Sequence, residues 1–195
     1  AVMCIFALVL SSWVFLAMRF GEIRDKLPEF QQFFGWPNLI YLWCTLALAK
    51  ILHEFGNAFS CKHYGGDCHS IGVMLLVFSP TLYCDVTDSW MLKNKWERIF
   101  IGAAGMYVEV VLASIAIFLW WHAKPGLVQH LCLNLFFVST VTTVIFNANP
   151  LLRFDGYYML ADFLEIPNLR QKATTLLQHK FAWYCLGIEM PEDPF

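Results

Sequence analysis

Apolar residues run in long blocks along this chain, with polar and charged residues gathered between them. Four blocks, at 1–18, 39–60, 99–121 and 131–148, approach or exceed the ~18–20 residues that a helix needs to cross a bilayer. The pattern predicts an all-α polytopic membrane protein of about four transmembrane helices. A shorter apolar stretch, 71–84, is interrupted by Pro80 and is too short and broken to cross. Its Val, Leu, Phe and Tyr suit a short hairpin around Ser79-Pro80. Non-helical backbone survives at membrane depth only beside protein or a wet cavity, so this stretch is expected to be a membrane-embedded hairpin or re-entrant segment. Beyond Pro150 two further helices are expected. One lies within 151–166 and stops before Pro167; the other is an amphipathic interfacial helix within 167–188.

Composition agrees with the blocks. The chain of 195 residues is 58% hydrophobic and only 14% charged, against about 25% charged in soluble domains. The net charge of −2 comes without a basic cluster, so no nucleic acid partner is expected. The chain opens at Ala1 inside an apolar run, without the charged start or small-residue cleavage site of a signal peptide. Residues 1–195 are therefore read as a single transmembrane domain, a fragment of a longer chain. The seven cysteines are scattered and form no CxxC pair. They read as small buried hydrophobes rather than a disulfide framework. Lysine and arginine sit after the second block (Lys62, Lys93, Lys95, Arg98) and in the tail (Arg153, Arg170, Lys172, Lys180). The opposite side holds Arg19, Arg24, Lys26 and Lys124. The bias makes the second loop and the tail the cytoplasmic side.

Ionisable residues inside such blocks are costly and point to function. The second block contains "HEFGNAFSCKH", His53 to His63. In an HExxH helix, histidines at i and i+4 share a face and bind zinc, and the glutamate beside the first activates the metal-bound water. Here His53 and Glu54 open the pattern, but Asn57 holds the i+4 position. Its amide oxygen can coordinate zinc, more weakly than imidazole. A buried hydrogen-bonded His-Glu couple is the plain structural alternative. His63 has the spacing of a third ligand only if the chain turns before it; on a continuing helix it lies ~15 Å from His53.

The fourth block ends in "NANPLLRFDGYY", Asn147 to Tyr158. Asp155 is a candidate zinc ligand through its carboxylate. Gly156 frees the backbone beside it, and Asn147 and Asn149 can hydrogen-bond an extended substrate. A helix-breaking Asn-Pro turn with a capping Asp would give the same letters.

Taken together, His53-Glu54 in one span, Ala103-Ala104-Gly105 in the next and N-x-x-P-x-x-x-F-D-G at the end of a third resemble the site-2 protease family of intramembrane zinc metalloproteases. The likeness covers roughly residues 51–169 and is nearest to bacterial multi-span members, some joined to efflux-adaptor-like regions. It implies Zn2+ held by His53 and Asp155 with Asn57 or water completing the set, Glu54 as catalytic base, and Asn147 holding substrate. It also implies a substrate polypeptide in or near the membrane, contact with lipid, an efflux or adaptor component as partner, and the bacterial inner membrane with the site nearer the cytoplasm. Asn57 departs from the family's second histidine, which leaves a catalytically impaired scaffold that binds a membrane or export partner as an alternative. A third reading uses His53, Glu54, Glu109 and Asp155 as an ion or proton path. Glu109 needs a partner or a cavity, Lys50 one turn before His53 snorkels or pairs with an acid, and Asp162 shares a helical face with Asp155.

Overall fold

Away from water, backbone groups must be satisfied within the chain, so the apolar blocks become helices. The computed structural model describes residues 2–36, 38–76 and 79–187; Ala1 and Ile188, the outer ends of the first and last expected segments, lie outside them. The fold is all-α and polytopic, with one small hairpin. Helix α1 (Val2–Met18) is followed by α2 (Phe20–Lys26), bent from it by 79°, and by a single turn, α3 (Phe30–Phe33). Three helices are long and apolar enough to cross a membrane: α4 (Asn38–His63), α5 (Lys95–His122) and the continuous helix Leu127–Asn147. The bent pair α1 and α2, taken as one broken span, is the fourth. The helix Leu127–Asn147 begins as α6 (Leu127–Val141) and widens into a π-helical turn, Thr142–Asn147. Two shorter helices, α7 (Asp155–Leu164) and α8 (Leu169–Leu186), complete the chain.

Helix α5 is the axis of the bundle and packs against α1, α4, α6 and α7. Small residues let it approach α4: a Cβ on Gly56 would lie 2.9 Å from Val108 Cγ2 and 3.1 Å from the Ala104 carbonyl oxygen. Polar pairs pin neighbouring helices. Asn38 and Asn134 exchange side-chain hydrogen bonds of 2.8 and 3.2 Å, and the Ser12 hydroxyl donates to Ser114 at 3.0 Å. An apolar core gathers Ile23, Ile117, Trp120, Cys132 and Leu133, with Phe15, Phe118 and Trp121 packed around it.

Helix α4 runs on through His63 and then stops on glycine. Gly65 has φ +89°, its N–H donates to the Lys62 carbonyl, and the Gly66 N–H donates to the Cys61 carbonyl. This closure needs a left-handed residue at position 65, which glycine supplies without strain. Strands β1 (Ile71–Leu76) and β2 (Ser79–Cys84) pair antiparallel from Ile71 with Cys84 to Leu76 with Ser79. The register corrects one expectation. Ser79 and Pro80 lie within β2, opposite Leu76 and Leu75. Proline is tolerated there because both strands of a two-stranded sheet are edges. Strand β2 packs on α4, next to the residues that matter most for chemistry.

Candidate active site

Helix α4 carries Lys50, His53 and Asn57 at i, i+3 and i+7, which places all three on one face. That face turns inward: His53 is 2% exposed and Asn57 5%. Glu54 lies ~100° round the helix and is half-buried, bordering a cavity rather than the helix contact.

His53 is held at both ring nitrogens. Nε2 lies 2.9 Å from Asp155 Oδ2, at the first residue of α7. Nδ1 lies 3.3 Å from Glu109 Oε1, on α5, and 3.4 Å from Asn147 Nδ2, at the end of the π-helical turn. A neutral imidazole has one N–H. If Nδ1–H donates to Glu109, the Nε2 lone pair faces the Asp155 carboxylate. Two acceptors at 2.9 Å then need a cation between them, either a proton or a metal ion.

Glu109 is fully buried and saturated with donors. Lys50 Nζ donates to Oε1 at 3.0 Å, while Asn147 Nδ2, at 3.1 Å, and the Thr143 hydroxyl donate to Oε2. A carboxylate removed from water requires such compensation. The result is a chain of contacts, Lys50–Glu109–His53–Asp155, that runs from α4 to α5, back to α4 and on to α7.

Two glycines make the assembly sterically possible. A Cβ on Gly105 would lie 2.4 Å from His53 Nε2, so the ring occupies space that any side chain at 105 would take. A Cβ on Gly156 would lie 2.7 Å from backbone atoms of Asn147 and Ala148. Its absence lets the first turn of α7 sit directly on the π-helical turn and carry Asp155 to His53. The Ala103-Ala104-Gly105 stretch therefore does more than pack helices.

Glu54, Asn57 and Asp155 line one cavity of about 500 Å3, whose other walls include Cys84, Tyr158 and Met159. The Glu54 carboxylate reaches the backbone of Cys84 at the end of β2. Asn57 has its Oδ1 engaged: it accepts from the Gly105 backbone N–H at 2.6 Å. Among the described residues, no three His, Cys, Asp or Glu side chains converge as a metal site. Two donors of zinc-binding type, His53 Nε2 and Asp155 Oδ2, do meet. Ligand atoms on a tetrahedral zinc with ~2.0–2.2 Å bonds lie about 3.4 Å apart, roughly half an ångström more than His53 Nε2 and Asp155 Oδ2.

Other residues marked in the sequence fall elsewhere. His63 is exposed on the same unbroken helix as His53, ~15 Å along it. Asn149 turns its Oδ1 to the Leu151 N–H at 2.9 Å. Asp162 accepts from Arg98 Nε at 2.7 Å at the rim of the cavity. The sequence left the destination of Glu109 open, and it did not mark Thr143 at all. The signal for Glu109 was its position, an acid amid apolar residues; Thr143 gave none.

No family model matches the chain, and no solved structure matches it. One curated relative is a protein of Bacillus subtilis (strain 168) named "Putative peptide zinc metalloprotease protein YydH". It is 24% identical over 159 residues, which make up 81% of this chain and 59% of the relative. The match spans 59% of that protein's length, and at this identity the chain is similar to a protein whose name is that of a peptide zinc metalloprotease.

Proposed function

We propose that the protein is a zinc-dependent endopeptidase that cuts polypeptides within or near a membrane, in the manner of the site-2 protease family it resembles. The observation that carries this reading is the 2.9 Å meeting of His53 Nε2 with Asp155 Oδ2, two residues far apart in sequence, beside a cavity that Glu54 lines. The similarity to a relative named for peptide zinc metalloprotease activity supports the same chemistry. His53 and Asp155 are the residues that would hold the ion, and Asn57, whose oxygen accepts from the Gly105 N–H, would leave a ligand position to water. Bound zinc supplies Lewis acidity, which lowers the pKa of water toward ~7 and polarises a carbonyl.

The chain's own groups do the rest. Glu54 takes the proton of the attacking water and passes it to the leaving amine. Glu109 fixes the ring of His53 through Nδ1, as a carboxylate behind a metal-ligating histidine does. Lys50, Thr143 and Asn147 hold Glu109 in turn. Asn147 therefore acts on the site from behind, through Glu109, rather than on substrate. The setting we propose is the bacterial inner membrane, with the cavity nearer the cytoplasm and a membrane-embedded polypeptide as substrate.

The test is cleavage of a reporter transmembrane polypeptide by purified protein in lipid, beside Glu54→Gln. General-base catalysis contributes ~10²–10⁴-fold, so that substitution should remove cleavage to this extent while leaving the fold intact. Equal cleavage by both proteins would overturn the reading. A second reading rests on one observation, the engagement of Asn57 Oδ1 by the Gly105 N–H. A scaffold stabilised by that bond, without a working metal, would bind a membrane or export partner and cut nothing.

A further inference from the structure

The active-site cavity adjoins a larger groove of about 800 Å3, bounded by the start of α5, by α7 and by the turn before α8. Trp90, Arg98, Tyr158 and Asp162 line both spaces. A polypeptide lying against Glu54 that leaves the cavity past these four residues enters the groove directly.

The groove's charges do not balance. Lys95 Nζ pairs with Glu165 at 2.7 Å, and Arg98 Nε pairs with Asp162 at 2.7 Å. Lys95 beside Glu165 also holds that carboxyl below the usual carboxylate range, and each of the two acids already has its own cation. Lys93 and Arg153 remain. Both are exposed, and neither has a hydrogen bond or ion pair to another described residue. Among the described residues nothing compensates these two cations, and the groove they line is also walled by aromatic rings, where Trp90 meets Tyr158 edge-on at 6.2 Å.

We propose that this groove docks an acidic segment of the polypeptide whose neighbouring residues lie in the cavity. The proposal rests on the peptidase reading for the direction of the chain, but the binding it describes does not need catalysis. Carboxylates at alternate residues of an extended segment stand ~6.6 Å apart on one side, so a run of acids presents several charges to one face of the groove. Arginine binds a carboxylate through two parallel N–H bonds. Anionic lipid headgroups would feel the same charge. Continuity with the cavity that holds Glu54 favours the peptide.

The experiment measures binding of labelled peptides to the protein in phosphatidylcholine nanodiscs, by fluorescence anisotropy at low and high salt. Each peptide has an apolar half followed by a run of Asp and Glu, or of Asn and Gln, or of Lys. The acidic peptide should bind at least about tenfold more tightly than the amide peptide, and added salt should narrow the gap. Lys93→Gln with Arg153→Gln should abolish the preference, and Lys93→Arg with Arg153→Lys should restore it. Because both residues are exposed, elution as a single species checks that the variants fold.

The assay reads binding and no cleavage, so a failed peptidase reading and a failed groove give different results. Equal binding of the three peptides would overturn the proposal, as would a preference that survives the double glutamine substitution. It would also be overturned if the acidic preference were absent in phosphatidylcholine while phosphatidylglycerol bound at Lys93 and Arg153, which would make the occupant a lipid.

Discussion

Near one end of α5, Ile117 and Trp120 pack with Ile23, Cys132 and Leu133 under a ring of aromatic side chains. About two turns away, the same helix points Glu109 at Lys50, His53, Thr143 and Asn147. The first region is held by dispersion, which is non-directional and spread over many weak contacts. The second is held by a few directional bonds around one buried charge. Removing an atom from the first leaves a small void. Removing a partner from the second leaves a polar group or a charge with nothing to answer it.

Substitutions that separate the two regions should follow this contrast. The largest effect should come from Lys50→Met, which strips the cation from buried Glu109. Breaking one side of a buried pair costs about 3–5 kcal/mol, and the partial exposure of Lys50 places the expected loss at the lower end, read by thermal or denaturant unfolding in detergent. Adding Glu109→Gln to Lys50→Met should recover most of that loss, because no charge is then left alone. If the double variant is no more stable than the single one, the polar region is not organised around this charge.

Next comes Gly105→Val, whose side chain would enter the space of the His53 ring. Overpacking of this kind costs about 1–3 kcal/mol and should abolish metal binding. Gly21→Ala is its control, since a Cβ there meets nothing within 4 Å; it should be neutral or stabilising by up to ~1 kcal/mol. Glu109→Gln alone should lower zinc affinity by ~10–100-fold, the usual loss when the group behind a ligating histidine is changed, measured by competition with a chelating dye. The smallest effect belongs to the apolar end. Ile117→Val should cost about 1 kcal/mol and leave zinc affinity as it was. A larger effect of Ile117→Val on zinc than on stability would break the contrast.

Much of the fold could be read from the block pattern, because long apolar runs admit few structures in lipid. Motif resemblance names His53 and Asp155 together as zinc ligands, and the structure adds that their side chains meet at 2.9 Å. Other features could not be read. The hairpin's register is not fixed by a β-rich stretch with an internal proline, and Ser79 and Pro80 prove to be paired within β2. That Glu109 needs a partner follows from its setting, but that the partner includes His53 follows only from the rotation of α5 against α4. The Asn57 bond to the Gly105 N–H depends on how closely two helices approach, which small residues permit but do not specify. Thr143 became a donor to Glu109 because it lies in the π-helical turn, and a run of Thr and Val carries no visible mark of that irregularity.

The central claim is that His53 and Asp155 hold a zinc ion in spite of Asn57. The most direct measurement is zinc per chain, by mass spectrometry, for the purified parent beside His53→Ala and Asn57→His after equilibration with zinc. The account predicts about one zinc in the parent, none in His53→Ala, and tighter retention in Asn57→His. A parent that holds no zinc would contradict it. Zinc in Asn57→His alone would then identify a protease scaffold whose metal site needs the second histidine, and zinc in none of the three would remove the metal from the account.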